Sequence, residues 1–242
     1  LREAEGGAPP RARTVFDMEE PQFLHAKPRA GLREVTSFVT VMKGCDERCT
    51  YCIVPYTRGS ERYRSGDTIV EEIARLVEGG VREITLLGQT VNSWYEDGAA
   101  PTSRRAASRS QFADLLRRIA AEVPDLARLR YTSPHPRHLT DDLIAAHAEL
   151  AVLPAHVHLP VQSGSNEQLR RMARRYTREE YIERAHVLMR ARPGLTLSTD
   201  IIVGFPGETE ADFEDTLDLV RQVGFVAAFG FKYSPRPFTP AL

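Results

Sequence analysis

The chain has 242 residues, of which 42% are hydrophobic and 27% are charged, and its formal net charge is −1. This length and apolar content suffice for one barrel-sized domain, and the charge excludes a protein that attracts nucleic acid through a strong overall positive field. The sequence has no apolar stretch long enough to span a bilayer and no signal-peptide pattern. It therefore predicts a cytoplasmic protein with reduced thiols and no membrane partner.

The first part of the chain differs in composition from the rest. Residues 1–35 contain Gly, Pro and Arg without periodicity, which indicates a linker or leader segment before one domain at 36–242. The sequence does not begin with Met, so we expect it to be a piece of a longer protein. A second stretch without periodicity, 95–110, is predicted to be a loop insertion.

Between these stretches, short β-rich runs alternate with amphipathic segments whose apolar residues recur at helical spacing. The predicted strands are 38–42, 83–87, 129–132, 156–161, 197–203 and 227–233, and the predicted helical segments are 68–78, 112–122, 141–149, 166–192 and 210–222. Such alternation predicts an α/β fold with a parallel sheet, because each helix carries the chain back to begin the next strand. Six units are fewer than the eight of a closed barrel, so we expect an open or partial (β/α)6 barrel.

The chain has three cysteines, Cys45, Cys49 and Cys52, and all three lie in one Cys-x-x-x-Cys-x-x-Cys stretch. Cysteine thiolates are the usual ligands of iron–sulfur clusters. Three thiolates on a cubane of four irons would leave one iron open to another molecule. The spacing therefore suggests a metal centre with a free coordination position.

Three other interpretations of the cysteines are weaker. A disulfide would leave one cysteine over. Structural zinc needs a fourth ligand, which would have to come from a distant residue such as His25 or His135. Three buried apolar cysteines fit poorly with the charged residues of the same stretch, since thiolates favour polar and partly cationic surroundings.

Polar and small residues follow the other predicted strands, at 88–92, 133–136, 162–165, 204–208 and 234–237. In parallel α/β proteins, ligands bind where the carboxyl ends of the strands converge. Beside the cysteines, the ring of Tyr51 offers a flat apolar surface to a base, and Gly88 permits close backbone approach to the charged end of a ligand. Asp200 is either a ligand-binding carboxylate or a structural acid.

The cysteine stretch, with an aromatic residue before its last cysteine, resembles the signature of radical S-adenosylmethionine enzymes, whose partial barrel also has six units. Within that superfamily, four stretches resemble the methylthiotransferases: 52–59 (CIVPYTRG), 87–93 (LGQTVNS), 159–165 (LPVQSGS) and 202–209 (IVGFPGET). The resemblance extends from about residue 37 to residue 241. It is greatest to the members that modify isopentenyladenosine next to the tRNA anticodon.

The resemblance implies one 4Fe-4S cluster on the three cysteines and S-adenosylmethionine chelated to the open iron. One electron would cleave this cofactor to a deoxyadenosyl radical, which removes hydrogen from carbon two of the adenine before a methylated sulfur is inserted there. Expected partners are a tRNA substrate and an electron donor such as flavodoxin or ferredoxin, with the protein a monomer. The cofactor contacts predicted by position are Tyr51, Gly88, Gln89, Ser133, Gln162, Ser163 and Asp200, with Arg174 as a carboxylate partner.

The resemblance also marks departures. Members of the family carry an amino-terminal domain with three more cysteines for a second 4Fe-4S cluster, and a carboxyl-terminal TRAM domain that grips RNA. We expect this chain to lack both, and so to bind and cleave S-adenosylmethionine without completing methylthiolation. Phe238 stands where the family usually has Gly. Alternative functions are methylthiolation of a ribosomal protein aspartate or of threonylcarbamoyladenosine in tRNA, or, in another class, a non-catalytic metal-binding RNA scaffold.

Overall fold

The computed structural model describes Phe23 and residues 34–96 and 110–241. Eight strands, seven α-helices and two 3-10 helices (Val91–Ser93 and Pro136–His138) lie within these residues. The strands are β1 (Thr36–Thr40), β2 (Met42–Lys43), β3 (Arg62–Tyr63), β4 (Glu83–Leu87), β5 (Arg128–Tyr131), β6 (His156–His158), β7 (Thr196–Val203) and β8 (Ala227–Lys232). The helices are α1 (Val54–Arg58), α2 (Gly66–Glu78), α3 (Gln111–Glu122), α4 (Asp141–Glu149), α5 (Asn166–Arg171), α6 (Arg178–Ala191) and α7 (Glu210–Val223).

Six of the strands form two three-stranded parallel sheets, and in each sheet the strands follow one another in chain order. One group has the order β1-β4-β5 and the other the order β6-β7-β8. No strand pairing joins β5 to β6 among the described residues, although the Leu129 N–H donates to the Val152 carbonyl at 2.9 Å. The α/β class and the partial (β/α)6 barrel are therefore confirmed, and the described residues form no closed barrel.

Capping residues explain where most of the helices begin. Every helix from α2 to α7 follows a Ser or Thr whose side chain accepts a hydrogen bond from a backbone N–H of the first turn; these residues are Ser65, Ser110, Thr140, Ser165, Thr177 and Thr209. This arrangement satisfies donors that the helix itself leaves without a partner. The capping box that the sequence predicts at Thr177 and Glu180 is present. The one predicted at Ser165 is only half formed, because the Ser165 N–H donates to Ser163 Oγ and not to the side-chain oxygen of Gln168.

The structure differs from the sequence prediction at two places near the cysteines. The strand predicted over 38–42 is interrupted at Val41, after which β2 pairs with β3 in a short antiparallel hairpin. The single turn α1 also lies directly after the last cysteine. Strands of two residues and a helix of five are too short to show a period in sequence. The predicted leader 1–35 and the insertion 95–110 lie almost entirely outside the described residues, so the proposed domain boundary stays a prediction.

The core lies between the outer face of the sheet and the helices. Alternate strand residues point outward and are fully buried against apolar side chains of α2 and α3, as the two-residue period of a strand requires. These outward residues include Val39, Ile84, Leu86 and Leu129, and their helical partners include Ile69, Ile73, Phe112 and Leu116. The inner face is less buried and lines a cavity of about 300 Å³ against β1, β4, β5 and β6. Among the described residues, no helix is both long and apolar enough to cross a membrane.

A buried ion pair joins α2 to the residue that precedes it by two positions, Arg64. Arg64 and Glu72 lie 2.7 Å apart with side chains 3% and 1% exposed. Replacing one member of such a pair leaves the other charge in the interior, which costs far more than losing an exposed pair. Glu72→Gln is expected to lower the free energy of unfolding by about 3 kcal/mol in urea titration.

The matched control for this prediction is Glu122→Gln. Glu122 pairs with Arg118 at 2.6 Å, but both side chains are exposed to solvent. Its loss is expected to cost less than about 1 kcal/mol. Equal effects of the two substitutions would show that burial does not determine the importance of the Arg64 pair.

Candidate metal centre and cofactor-binding rim

The cysteine loop begins directly after β2 and is shaped by Gly44. This glycine has φ +77°, a backbone conformation that residues with a Cβ rarely adopt. An added Cβ would lie 2.1 Å from the Ser60 carbonyl oxygen. The next residue, Cys45, donates its N–H to the Gly59 carbonyl at 3.1 Å, and Cys52 donates to the Cys49 carbonyl at 3.0 Å. The three cysteines are therefore held on one folded loop.

All three cysteines are free thiols. Cys45 and Cys49 are 9% exposed, and Cys52 is partly buried. Burial raises the pKa of the Cys45 thiol to about 11 and raises that of Cys52. A cation or a metal is therefore needed to compensate the charge of the Cys45 thiolate at neutral pH. No disulfide forms among them, which argues against that interpretation of the sequence.

The neighbours of the thiols are polar groups from other segments of the chain. The Cys45 Sγ lies 3.2 Å from Thr90 Oγ1 in the loop after β4, and Arg174 Nη1 donates to the Cys49 Sγ at 3.5 Å. Such contacts fit thiolate ligands, whose charge is stabilised by hydrogen-bond donors and nearby cations. They do not fit three inert apolar cysteines.

Three predicted cofactor contacts have features that point to an absent ligand. The Oε1 atom of Gln89 is buried and has no hydrogen-bond partner among the described residues. Ser133 and Gln162 have φ +55° and +74°, so both lie in the left-handed region although neither is glycine. Orphaned polar atoms and strained backbone at strand ends are typical of ligand sites. These three residues fit a polar cofactor bound at the carboxyl ends of the strands.

Two other predicted contacts have a structural explanation of their own. Ser163 is fully buried, and its Oγ lies 3.3 Å from Thr216 Oγ1 and accepts the Ser165 N–H at 3.2 Å. A Cβ on Gly88 would lie 2.5 Å from Cγ of Met42, so packing against that side chain requires the small residue. As cofactor contacts, Ser163 and Gly88 stay predictions.

Asp200 and Tyr51 both contact protein groups. The Asp200 carboxylate lies 3.2 Å from Nε2 of His158, whose Nδ1 lies 2.9 Å from Ser198 Oγ. The Tyr51 ring packs edge-on against Phe205 with 6.4 Å between ring centroids. Asp200 therefore belongs to a hydrogen-bonded group on β6 and β7, and Tyr51 belongs to an aromatic contact beside the cysteines.

The sequence prediction missed a buried group next to the cysteines. Glu47, from within the cysteine loop, lies 3.0 Å from His138 Nε2 and 3.6 Å from Arg137. Burial alone would raise the pKa of Glu47, but the hydrogen bond with His138 lowers it below its ordinary value. The acidic residue inside the cysteine stretch was the available signal, although its partner could not be identified from sequence.

This group also bears on the zinc interpretation. Ligand atoms of Glu47, His135 and His138 lie within 4.8 Å of one another, as in a metal site. Burial, and then the charge of Arg174, holds the pKa of His135 well below its ordinary value. The positive charges of the arginines around this group would also repel a zinc ion, which argues against the zinc interpretation. His25, the other candidate zinc ligand, lies outside the described residues.

The segment after β8 returns to the cysteine loop. The Ala241 N–H donates to the Thr50 carbonyl at 3.0 Å, and the Tyr233 hydroxyl donates to the Ala241 carbonyl at 2.5 Å. Within this segment, Phe238 has φ +66° and its side chain is 82% exposed. The position therefore has the backbone conformation that favours glycine, but carries an aromatic residue.

Phe238→Gly is expected to relieve this strain and Phe238→Val to increase it, because a β-branched residue tolerates the left-handed region least. The two variants should differ in free energy of unfolding by about 1–2 kcal/mol in favour of glycine. Urea titration of both variants measures the difference. A more stable valine variant would contradict the strain assigned to Phe238.

The chain matches known proteins over most of its length. A model of the Radical SAM superfamily matches residues 39–220. A tRNA-2-methylthio-N(6)-dimethylallyladenosine synthase from Sorangium cellulosum is 64% identical over 98% of this chain and 50% of that protein. A protein of the same name from Agrobacterium fabrum is 53% identical over 95% of this chain and 50% of that protein. The chain thus spans about half the length of these relatives.

Solved structures show the same fold. The radical S-adenosylmethionine methyltransferase TsrM from Kitasatospora setae, with cobalamin and a 4Fe-4S cluster bound, superposes with a TM-score of 0.64 at 20% identity, over 89% of this chain and 42% of that chain. Streptococcus suis SuiB bound to S-adenosylmethionine superposes with a TM-score of 0.59 at 11% identity, over 86% of this chain and 43% of that chain. The family match, the partial barrel and the three free cysteines on one loop agree: the chain belongs to the radical SAM superfamily.

Proposed function

We propose that this chain is the radical-generating core of a tRNA methylthiotransferase that modifies carbon two of isopentenyladenosine next to the anticodon. The observation that carries the proposal is the loop with three free cysteines at the carboxyl ends of the strands. The substrate is suggested by the names of relatives that are 64% and 53% identical to the chain.

Cys45, Cys49 and Cys52 would hold a 4Fe-4S cluster, since they are free, close in the chain and surrounded by polar donors. The chemistry that such a cluster supplies is one-electron cleavage of S-adenosylmethionine.

The chain's own residues would bind and orient the cofactor. Gln89, Ser133 and Gln162 are the proposed polar contacts, because they combine an orphaned amide oxygen with strained backbone at three strand ends. Phe205 packs against both Tyr51 and Tyr233, and these rings would exclude water beside the cysteines. Asp200 is proposed to contact the cofactor from the inner face of β7, where its carboxylate pairs with His158.

The remaining parts of the reaction are proposed to come from outside this chain. All three cysteines are assigned to one cluster, so a second 4Fe-4S cluster would be held by other parts of a longer protein. The tRNA would be bound mainly there as well. We further propose a monomeric, cytoplasmic enzyme that receives electrons from a flavodoxin or ferredoxin.

Anaerobic reconstitution of the chain tests the radical-generating role. We expect about four irons per chain and, after dithionite is added, release of deoxyadenosine from S-adenosylmethionine. Bound zinc without cleavage would instead support a non-catalytic metal-binding scaffold. Iron binding without cleavage would also contradict the proposal.

Deletion of the full-length gene tests the substrate. We expect isopentenyladenosine lacking the methylthio group to accumulate in tRNA, as measured by mass spectrometry of digested tRNA. Loss of methylthiolation from a ribosomal protein aspartate, or from threonylcarbamoyladenosine, would assign the chain to a related enzyme instead.

A further inference from the structure

Arg174 is held in place by an unusual stretch of backbone between α5 and α6. Ala173 and Arg175, on either side of it, have φ +57° and +59°, so two residues other than glycine lie in the left-handed region. Each such residue costs of order 1 kcal/mol and persists only where the surrounding structure imposes it. The backbone therefore turns twice to place this one side chain.

The same stretch is fastened to the cysteine loop. Thr50, which follows Cys49, donates its N–H to the Met172 carbonyl at 3.1 Å and its hydroxyl to the Arg171 carbonyl at 2.8 Å. The backbone that carries Arg174 is consequently held close to the cysteine loop, within reach of Cys49.

The guanidinium of Arg174 is buried, with only 5% of the residue exposed. Its Nη1 donates to the Cys49 Sγ at 3.5 Å, its Nη2 to the Pro160 carbonyl at 3.1 Å and its Nε to the Tyr176 hydroxyl at 3.0 Å. The Tyr176 hydroxyl in turn donates to the Val161 carbonyl at 2.8 Å. All three nitrogens of the guanidinium therefore already contact protein acceptors.

No carboxylate of the described residues forms an ion pair with Arg174. A buried charge without a counter-charge is costly. The neighbour that can become negative is the sulfur of Cys49, as a thiolate ligand. The three contacts use three of the five guanidinium N–H groups, and they hold the fixed positive charge of Arg174 beside an anionic centre at Cys49.

We propose that Arg174 is a positioning residue for the cluster, which donates to the ligand Cys49 and raises the reduction potential of the cluster. Reduction adds negative charge to the centre, and a fixed cation at hydrogen-bond distance stabilises the reduced state more than the oxidised one. Hydrogen bonds to the sulfurs are among the established determinants of such potentials. This inference rests on the cluster assigned above.

A redox titration of the reconstituted chain, followed by electron paramagnetic resonance, tests the inference. In Arg174→Gln, the ratio of reduced to oxidised cluster at a fixed solution potential should fall at least tenfold, which corresponds to a midpoint about 59 mV more negative. Arg174→Lys keeps the positive charge but cannot make all three hydrogen bonds of the guanidinium, so it should shift the midpoint less. The control Arg170→Gln removes an exposed arginine that pairs with Glu167 and should leave the midpoint unchanged.

Several outcomes separate the possible failures. If the parent chain binds no iron, the proposed function fails. If Arg174→Gln carries its full iron content with an unchanged midpoint, the role of Arg174 is wrong. If Arg174→Gln cannot be loaded, Tyr176→Phe takes its place, since it removes the acceptor of the Arg174 Nε and keeps the charge. Its midpoint should move in the same negative direction by a smaller amount, and an unchanged midpoint would again overturn the proposal.

Discussion

Cys49→Ala is expected to abolish iron binding and deoxyadenosine release together. Two cysteines would remain, and two thiolates hold a cubane cluster poorly. The substitution also removes the sulfur that accepts the hydrogen bond from Arg174, so the buried guanidinium loses a partner. Iron and sulfide analysis after anaerobic reconstitution, with chromatography of the products after dithionite, measures both losses.

The control for this prediction is Arg48→Gln, which changes an exposed neighbour in the same loop. It should keep the iron content and the rate of deoxyadenosine release within about twofold of the parent, as expected for a surface position. Circular dichroism should show the same helix content in both variants. A Cys49→Ala variant with four irons per chain would show that Cys49 is not a ligand of the cluster.

The order of the elements could be predicted because the sequence carries periodic signals along most of its length. Leu86, Leu129 and similar strand residues are buried on one face, and the helices that cover them begin at side-chain caps. Both features depend on neighbours within a few residues. The hairpin of β2 and β3 depends instead on pairing across a loop, so a pattern of two residues could not reveal it.

The candidate site was predictable only in part for the same reason. The cysteines are recognisable from spacing within eight residues of chain, from Cys45 to Cys52. In contrast, Arg174 and Cys49 are 125 residues apart, and Glu47 and His138 are 91 apart. Contacts at such separations are set by how the strand ends converge.

Gly44→Ala is expected to destroy the metal centre by displacing the cysteine loop. The left-handed backbone at Gly44 would cost alanine about 1–2 kcal/mol, and the new Cβ would lie 2.1 Å from the Ser60 carbonyl oxygen. That atom belongs to the backbone, so it cannot rotate away as a side chain would. Either β2 or the segment at Gly59 must move, and Cys45, which donates to the Gly59 carbonyl, moves with it.

Gly194→Ala separates the effect of the collision from that of backbone strain. Gly194 has φ +79°, close to the +77° of Gly44, but a Cβ built on it meets nothing within 4 Å. The control should therefore cost only the strain of about 1–2 kcal/mol in urea titration and keep its iron. Gly44→Ala should lose most of its iron, and its free energy of unfolding should fall by about 3 kcal/mol. Because the two glycines share a backbone conformation, equal iron contents in the two variants would mean that the loop tolerates the collision with Ser60, and that its shape does not depend on glycine.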